Sequence, residues 1–322
     1  MERSDKGIME KKKTIKGCLC AIFCEILFGL SYLFTKHATT SVDSLTLLSW
    51  RFATAFLVIN LCVSLGVVKI SLRGKRLLPL FWIAVFQPVI YFVGETVGIS
   101  LTTASESGAV LSVIPAATLI AGGLILKEKP TKLQAAGVCI TMAGVMVCVL
   151  SKGMEASFNP LGYLMLLMAV ISYSLYSVFS EKAVSFSSAE KTYVMIAFGA
   201  VVFTAAALVQ NLRTGTLPEF LSAPFTNPAL LTAVLYQGIG CSILAFLLYN
   251  LAIATIGTNR SASFVGISTV VSILAGVFFL KEQFSTFQAA GAFFVIGGVY
   301  LANLTRKSKS ARPNRRNAKN AE

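Results

Sequence analysis

The chain has 322 residues, of which 55% are hydrophobic and only 13% charged, with a formal net charge of +14 and a mean hydropathy of +0.75. Soluble domains carry about 25% charged residues, so a soluble fold of this length is excluded. The basic excess does not indicate nucleic acid, because Lys and Arg lie in tails and short loops, with no basic helix or aromatic-interleaved patch.

Apolar runs of about twenty residues, enough to cross a hydrocarbon core about 30 Å thick, alternate with short charged clusters. In chain order the pattern predicts helices over about 16–36, 44–66, 77–98, 102–126, 132–150, 160–180, 190–210, 228–250, 255–280 and 286–304. Lys11, Lys12, Lys13 and Lys16 before an apolar run imitate a signal peptide. That run is too long, lacks a small-residue cleavage site and is interrupted by Glu25, so it reads as the first membrane helix. Segment 211–227, with Arg213, Gly215, Pro218 and Pro224, reads as a loop. The seven cysteines all fall within apolar runs and read as small buried hydrophobes. With His37 the only histidine and no metal-ligand spacing, neither a metal nor a cofactor is expected.

Basic residues set the orientation. With the N-terminus inside, cytoplasmic segments hold twenty-two Lys and Arg and outside segments four. Both tails are basic, which requires an even number of crossings and places both termini in the cytoplasm. The expected location is the cell membrane, as a multi-pass protein.

Residues 126–145, LKEKPTKLQAAGVCITMAGV, are repeated as LKEQFSTFQAAGAFFVIGGV at 280–299, with nine of twenty positions identical at a constant offset of 154. Leu126/Leu280, Lys127/Lys281, Glu128/Glu282, Gln134/Gln288, Gly137/Gly291 and Gly144/Gly298 are among the matches. Helices one and six share Ile26/Ile171, Leu30/Leu175, Phe34/Phe179 and Ala38/Ala183. Five helices separate the copies, and an odd number inverts the second. The expected fold is therefore all-α and polytopic, with ten transmembrane helices as two inverted five-helix repeats. A cytoplasmic tail would cover 1–15, the first repeat 16–151, the second 159–305, and a basic cytoplasmic tail 306–322. Inverted repeats place substrate near the midplane between the halves. The recurring glycines read as close-packing positions, where small residues let helix backbones approach in lipid.

The paired L-K-E…Q-A-A-G…G-V motif, Trp50-Arg51-Phe52 opening helix two and Pro115 in helix four resemble the EamA family of drug/metabolite transporters, over about 16–304. Pro115 has Thr269 as its repeat mate, a departure from strict symmetry. The resemblance implies secondary transport of small metabolites, commonly export of amino acids or related compounds. It also implies a cavity lined by helices one, three, four, six, eight and nine.

Ionisable groups in hydrocarbon are costly and are by default functional candidates. Glu25, about nine residues into helix one, is the deepest acid and the first candidate for substrate or proton contact; the structural alternative is a protonated or hydrogen-bonded carboxyl. Arg51, Glu95 and Glu106 share one depth near the outside and read as an ion pair, or as a charged gate or substrate anchor. Tyr176, Tyr249 and Asn250 add polar groups on helices six and eight. Ser261, Ser268 and Ser272, at spacings of seven and four, read as one face of helix nine. Glu128 and Glu282 read as helix-end caps paired with neighbouring lysines.

The expected function is a secondary transporter working by alternating access on a small-molecule substrate within the lipid bilayer, with no nucleic-acid partner. The alternatives are a membrane sensor or assembly subunit without transport, for which the tails are short, and an intramembrane enzyme. Against the enzyme, no G-x-S-x-G, H-E-x-x-H or phosphate-binding glycine loop occurs. Substrate identity, direction, ion coupling and oligomeric state stay open.

Overall fold

The structure, a computed structural model, describes residues 2–101, 110–150, 159–280 and 285–304. Among the described residues all regular structure is helical. In chain order the helices are α1 Glu2–Ala38, α2 Ser44–Ser64, α3 Leu78–Ala84, α4 Tyr91–Leu101, α5 Ile114–Ala121 and α6 Lys132–Leu150. There follow α7 Pro160–Lys182, α8 Ser188–Thr214, α9 Leu217–Thr226, α10 Pro228–Leu235, α11 Phe246–Ile256, α12 Thr258–Ala262, α13 Gly266–Leu280 and α14 Thr286–Asn303. Wide helical turns join α3 to α4 over Val85–Ile90, extend α5 over Gly122–Leu126, and join α10 to α11 over Tyr236–Ala245. Among the described residues eight helices are long and apolar enough to cross a membrane, and Ile114–Leu126 and Lys132–Val147 are shorter apolar helices. The first part of the expected fourth helix, at 102–109, lies outside the described residues.

Large apolar side chains face outward, as a lipid environment requires. Leu124, Phe278 and Phe293 are each 75% exposed, which in water would be a severe liability. The interior carries aromatic rings interleaved with small and polar residues. Phe52 of α2 stacks on Phe203 of α8 at 5.4 Å and meets Phe92 of α4 edge-on at 5.7 Å. Packing and hydrogen bonds, rather than hydrophobic transfer, hold such an interior together in lipid.

The repeated stretch has a structural explanation. In its first copy Thr131 and Gln134 cap α6 reciprocally: the Thr131 N–H donates to Gln134 Oε1 at 2.8 Å, and the Gln134 N–H to Thr131 Oγ1 at 3.2 Å. In the second copy Ser285 and Gln288 cap α14 in the same way, at 3.0 and 3.1 Å. Such boxes satisfy otherwise unpaired donors in the first turn. The glycines then let α6 and α14 cross in near contact. A Cβ on Gly137 would lie 2.6 Å from Gly298 O, and one on Gly144 would lie 2.7 Å from Gly291 O. Each glycine of one copy thus faces a glycine of the other.

Three expectations are corrected. Segment 211–227 is largely helical: α8 runs to Thr214, and Leu217–Thr226 forms α9. Pro218 sits in the first turn, where its missing N–H costs nothing, and the buried ring of Phe220 packs against Trp50, whose Nε1 donates to Phe220 O at 3.1 Å. The third expected helix is broken at Gln87 (φ −135°, ψ 116°) before Pro88. Proline offers no N–H to continue the ladder, and the Ser172 hydroxyl of α7 donates to Phe86 O there at 2.7 Å. The ninth expected helix is likewise not continuous. Gly257 at φ 81° separates α11 from α12, and three-residue turns over 261–268 separate α12 from α13.

Candidate functional site

Glu25 lies on the face of α1 that packs against α13. One turn further on, a Cβ on Gly29 would lie 2.6 Å from Ser268 O, so glycine brings the two helices together beside the acid. The carboxyl is 2% exposed, and its Oε1 has no hydrogen-bond partner. Ser268 is its neighbouring polar side chain, and the phenols of Tyr173 and Tyr249 lie within its electrostatic reach. Glu25 of α1 thus has Ser268 of α13 as its neighbour, and the adjacent Cys24 packs in the core cluster that also holds Tyr173 of α7 and Tyr249 of α11.

Tyr173, Tyr176 and Tyr249 form one buried cluster, with the half-buried Tyr91 against it. Ring centroids of Tyr173 and Tyr249 are 5.5 Å apart, those of Tyr176 and Tyr249 6.1 Å, and those of Tyr91 and Tyr173 5.6 Å. Tyr176 and Asn250 are committed elsewhere. Asn250 Oδ1 accepts from Tyr176 Oη at 3.1 Å and from Ser180 Oγ at 2.7 Å, while its amide donates to Thr192 Oγ1 at 3.2 Å. A fully buried amide with its oxygen and nitrogen both engaged is a tie between α7, α8 and α11. It is not an open ligand position in this conformation.

Arg51 forms a second polar centre nearer the other end of the span. It is 5% exposed. Nε donates to Ser242 Oγ at 2.8 Å, Nη1 to Gln237 Oε1 at 3.4 Å, and Nη2 has no partner. Its Cζ stands 4.6 Å from the Phe92 ring centroid and 5.4 Å from that of Phe52, an arrangement in which the ring faces help offset the charge. Glu95 is an electrostatic neighbour of Arg51 rather than a contact partner, and its carboxyl accepts from Tyr91 Oη at 2.8 Å. Glu106 lies outside the described residues.

The serine stripe is divided. Ser268 and Ser272 are one turn apart on α13, but Ser261 belongs to α12 and donates to Gly257 O at 2.9 Å. Tight turns between them advance about 120° per residue instead of 100°, so a spacing of seven no longer returns to one face. Arg260 caps the end of α14, its Nη2 donating to Asn303 O at 3.2 Å. Glu128 lies beyond its helix. Burial, and secondarily the neighbouring Glu181, push its carboxyl above the ordinary range. Glu282 lies outside the described residues. Sequence reasoning missed Gln87, Ser242 and Thr35, which donates no charge but accepts from Gln237 Nε2 at 2.7 Å. Only Gln87 had a signal, as a polar residue before proline within an apolar run.

Chemically, the arrangement can hold a proton or meet a cation at Glu25, and can meet an anion at Arg51. Among the described residues no group of three His, Cys, Asp or Glu could hold a metal ion.

The apolar helices, with ionisable side chains buried among them, define a polytopic helical membrane protein. The EamA-like transporter family model matches the chain twice, over residues 15–150 and 160–304. The chain belongs to the EamA-like transporter family. It is 31% identical over 307 residues to the "Uncharacterized transporter YcxC" of Bacillus subtilis (strain 168), covering 95% of this chain and 98% of that protein. It is 22% identical over 190 residues to a "Probable amino-acid metabolite efflux pump" of Salmonella typhimurium, covering 57% of this chain and 62% of that one. A solved crystal structure shares the fold at a TM-score of 0.69 with 20% identity, over 89% of this chain and 96% of that one.

Proposed function

We propose that this protein is a secondary transporter that moves a small metabolite, an amino acid or related compound, out across the cytoplasmic membrane by alternating access. The working unit is two inverted five-helix halves, 16–151 and 159–305, forming ten membrane crossings with both termini in the cytoplasm. Family membership supports the class, and the name of the Salmonella relative supports the substrate type and direction. The observation that carries the mechanism is Glu25, an unpartnered carboxyl oxygen where α1 of the first matched segment meets α11 and α13 of the second. Rocking one half against the other changes which side reaches this carboxyl, as inverted-repeat transporters require. Substrate or water then completes its hydrogen bonding.

The test is export and uptake of labelled amino acids and other metabolites in vesicles, with parent protein and Glu25→Gln. The variant keeps shape and much of the hydrogen bonding but removes titration. Normal insertion with transport lost, or made insensitive to a pH gradient, is expected. Parent-rate transport with the same pH profile would make Glu25 a structural carboxyl, and absence of flux for any compound with parent protein would remove the transporter reading itself.

A further inference from the structure

α1 presents a second face. Opposite the side that carries Glu25, it joins Leu248 of α11 in walling a groove of about 400 Å³. Lys12 and Lys16, one turn apart, line it, followed along the helix by Leu19 and Phe23. At 1.5 Å per residue, Lys12 to Phe23 covers about 16 Å, so the groove runs from the polar boundary well into the apolar slab. Leu19 and Phe23 are 47% and 56% exposed, so lipid meets them.

Along α1 no acid stands one turn from either lysine. Positions three and four residues from the two lysines hold Ile8, Met9, Lys13, Ile15, Leu19 and Cys20. Lys11 and Lys13 share the segment and its net charge but do not line the groove. The site therefore pairs two adjacent ammonium groups with an apolar channel at right angles to the membrane surface. That is the chemistry of one amphiphile with a negative head and a hydrocarbon tail.

We infer that this groove binds an anionic phospholipid from the leaflet in which the α1 lysines lie. Its phosphate rests on Lys12 and Lys16, and one acyl chain lies along Leu19, Phe23 and Leu248. A zwitterionic lipid carries the same phosphate but offsets it with its own amine, so the site discriminates by net headgroup charge. Because the occupant lies against the helix that carries Glu25, it bears on an element of the proposed transport site without touching that site.

The experiment uses the full chain in nanodiscs of equal phosphatidylglycerol and phosphatidylcholine. Lipid retained after transfer to detergent is identified by native mass spectrometry. Parent protein should retain phosphatidylglycerol preferentially, and K12Q/K16Q should lose roughly thirtyfold of that preference. K11Q/K13Q, with the same change in net charge, should behave as the parent. Leu248→Trp fills the channel without altering charge and should reduce retention of either lipid. Equal losses in the two double variants would assign the preference to diffuse surface charge and overturn the proposal. So would a parent with no preference, or full retention by K12Q/K16Q and Leu248→Trp together. None of these readouts depends on transport, so the proposal and the transporter reading fail separately.

Discussion

Gly137→Ala tests whether the crossing of α6 and α14 is as close as described. The added Cβ would lie 2.4 Å from Ala302 N and 2.6 Å from Gly298 O, against an ordinary contact of about 3.5–4.0 Å. Both are backbone atoms, so no side chain can swing aside, and the helices must part by about 1 Å. A gap of that size forfeits a quarter to a half of the contact energy along the seam, and overpacking costs about 1–3 kcal/mol. Alanine returns up to about 1 kcal/mol through helix propensity, so a cost near the upper end, as two backbone clashes imply, leaves a net loss of about 2 kcal/mol. Gly297→Ala is the matched control. It lies on the same helix pair with nothing within 4 Å of the new Cβ, so it should be neutral or gain up to about 1 kcal/mol. Unfolding of both variants in the same detergent, followed by loss of helical signal, measures the difference. If the two unfold alike, the helices do not approach as described and the packing argument for the repeated glycines fails.

Other perturbations follow from the polar contacts. Arg51→Ala leaves Ser242 and Gln237 without their donor and is expected to cost about 2–4 kcal/mol, read as reduced abundance and a lower unfolding temperature; a fully stable but transport-dead variant would instead assign Arg51 to substrate anchoring. Glu190 accepts from Lys75 Nζ at 2.8 Å and from the N–H groups of Ser71 and Ser187 at 3.1 and 2.8 Å. Glu190→Ala should therefore release the 65–77 connection and cost about 1–2 kcal/mol, with faster proteolysis there; unchanged cleavage would refute the clamp. Glu128 has a raised carboxyl, so folding favours its protonated form: its contribution is complete at low pH and lost as pH rises through the raised value. Glu128→Gln should accordingly raise stability at neutral pH, with the gain vanishing in acid, and equal stability at neutral pH would show that folding does not raise this carboxyl.

Much of the architecture was legible because lipid makes sequence pattern speak loudly. Apolar runs gave most helix positions, and the matched Gln134 and Gln288 turned out to be reciprocal caps. The two polar centres were legible as isolated charges, Glu25 and Arg51, because a charge in hydrocarbon has few innocent explanations. Their partners were not. Arg51 was expected to meet a carboxylate but is held by a serine, an amide and two rings, and neutral groups carry no such signal in a sequence. Helix interruptions were also hidden. Gln87 and the turns over 261–268 break spans whose hydropathy is continuous, because backbone geometry depends on what a neighbouring helix can hydrogen-bond. The proline-containing stretch at 217–226 failed in the opposite sense, since Pro218 opens a helix as readily as it ends one.

The glycine-to-glycine crossing bears on how this sequence can change with time. Gly137 rests on Gly298 and Gly144 on Gly291, so each copy of the repeated stretch is the other's template. A side chain gained in one copy must be accommodated by the other, and neither can drift alone without opening the seam. The two stretches are thus tied by contact as well as by resemblance. This supplies a reason for similarity to persist between 126–145 and 280–299, while surfaces that face only lipid are free to exchange one hydrocarbon side chain for another.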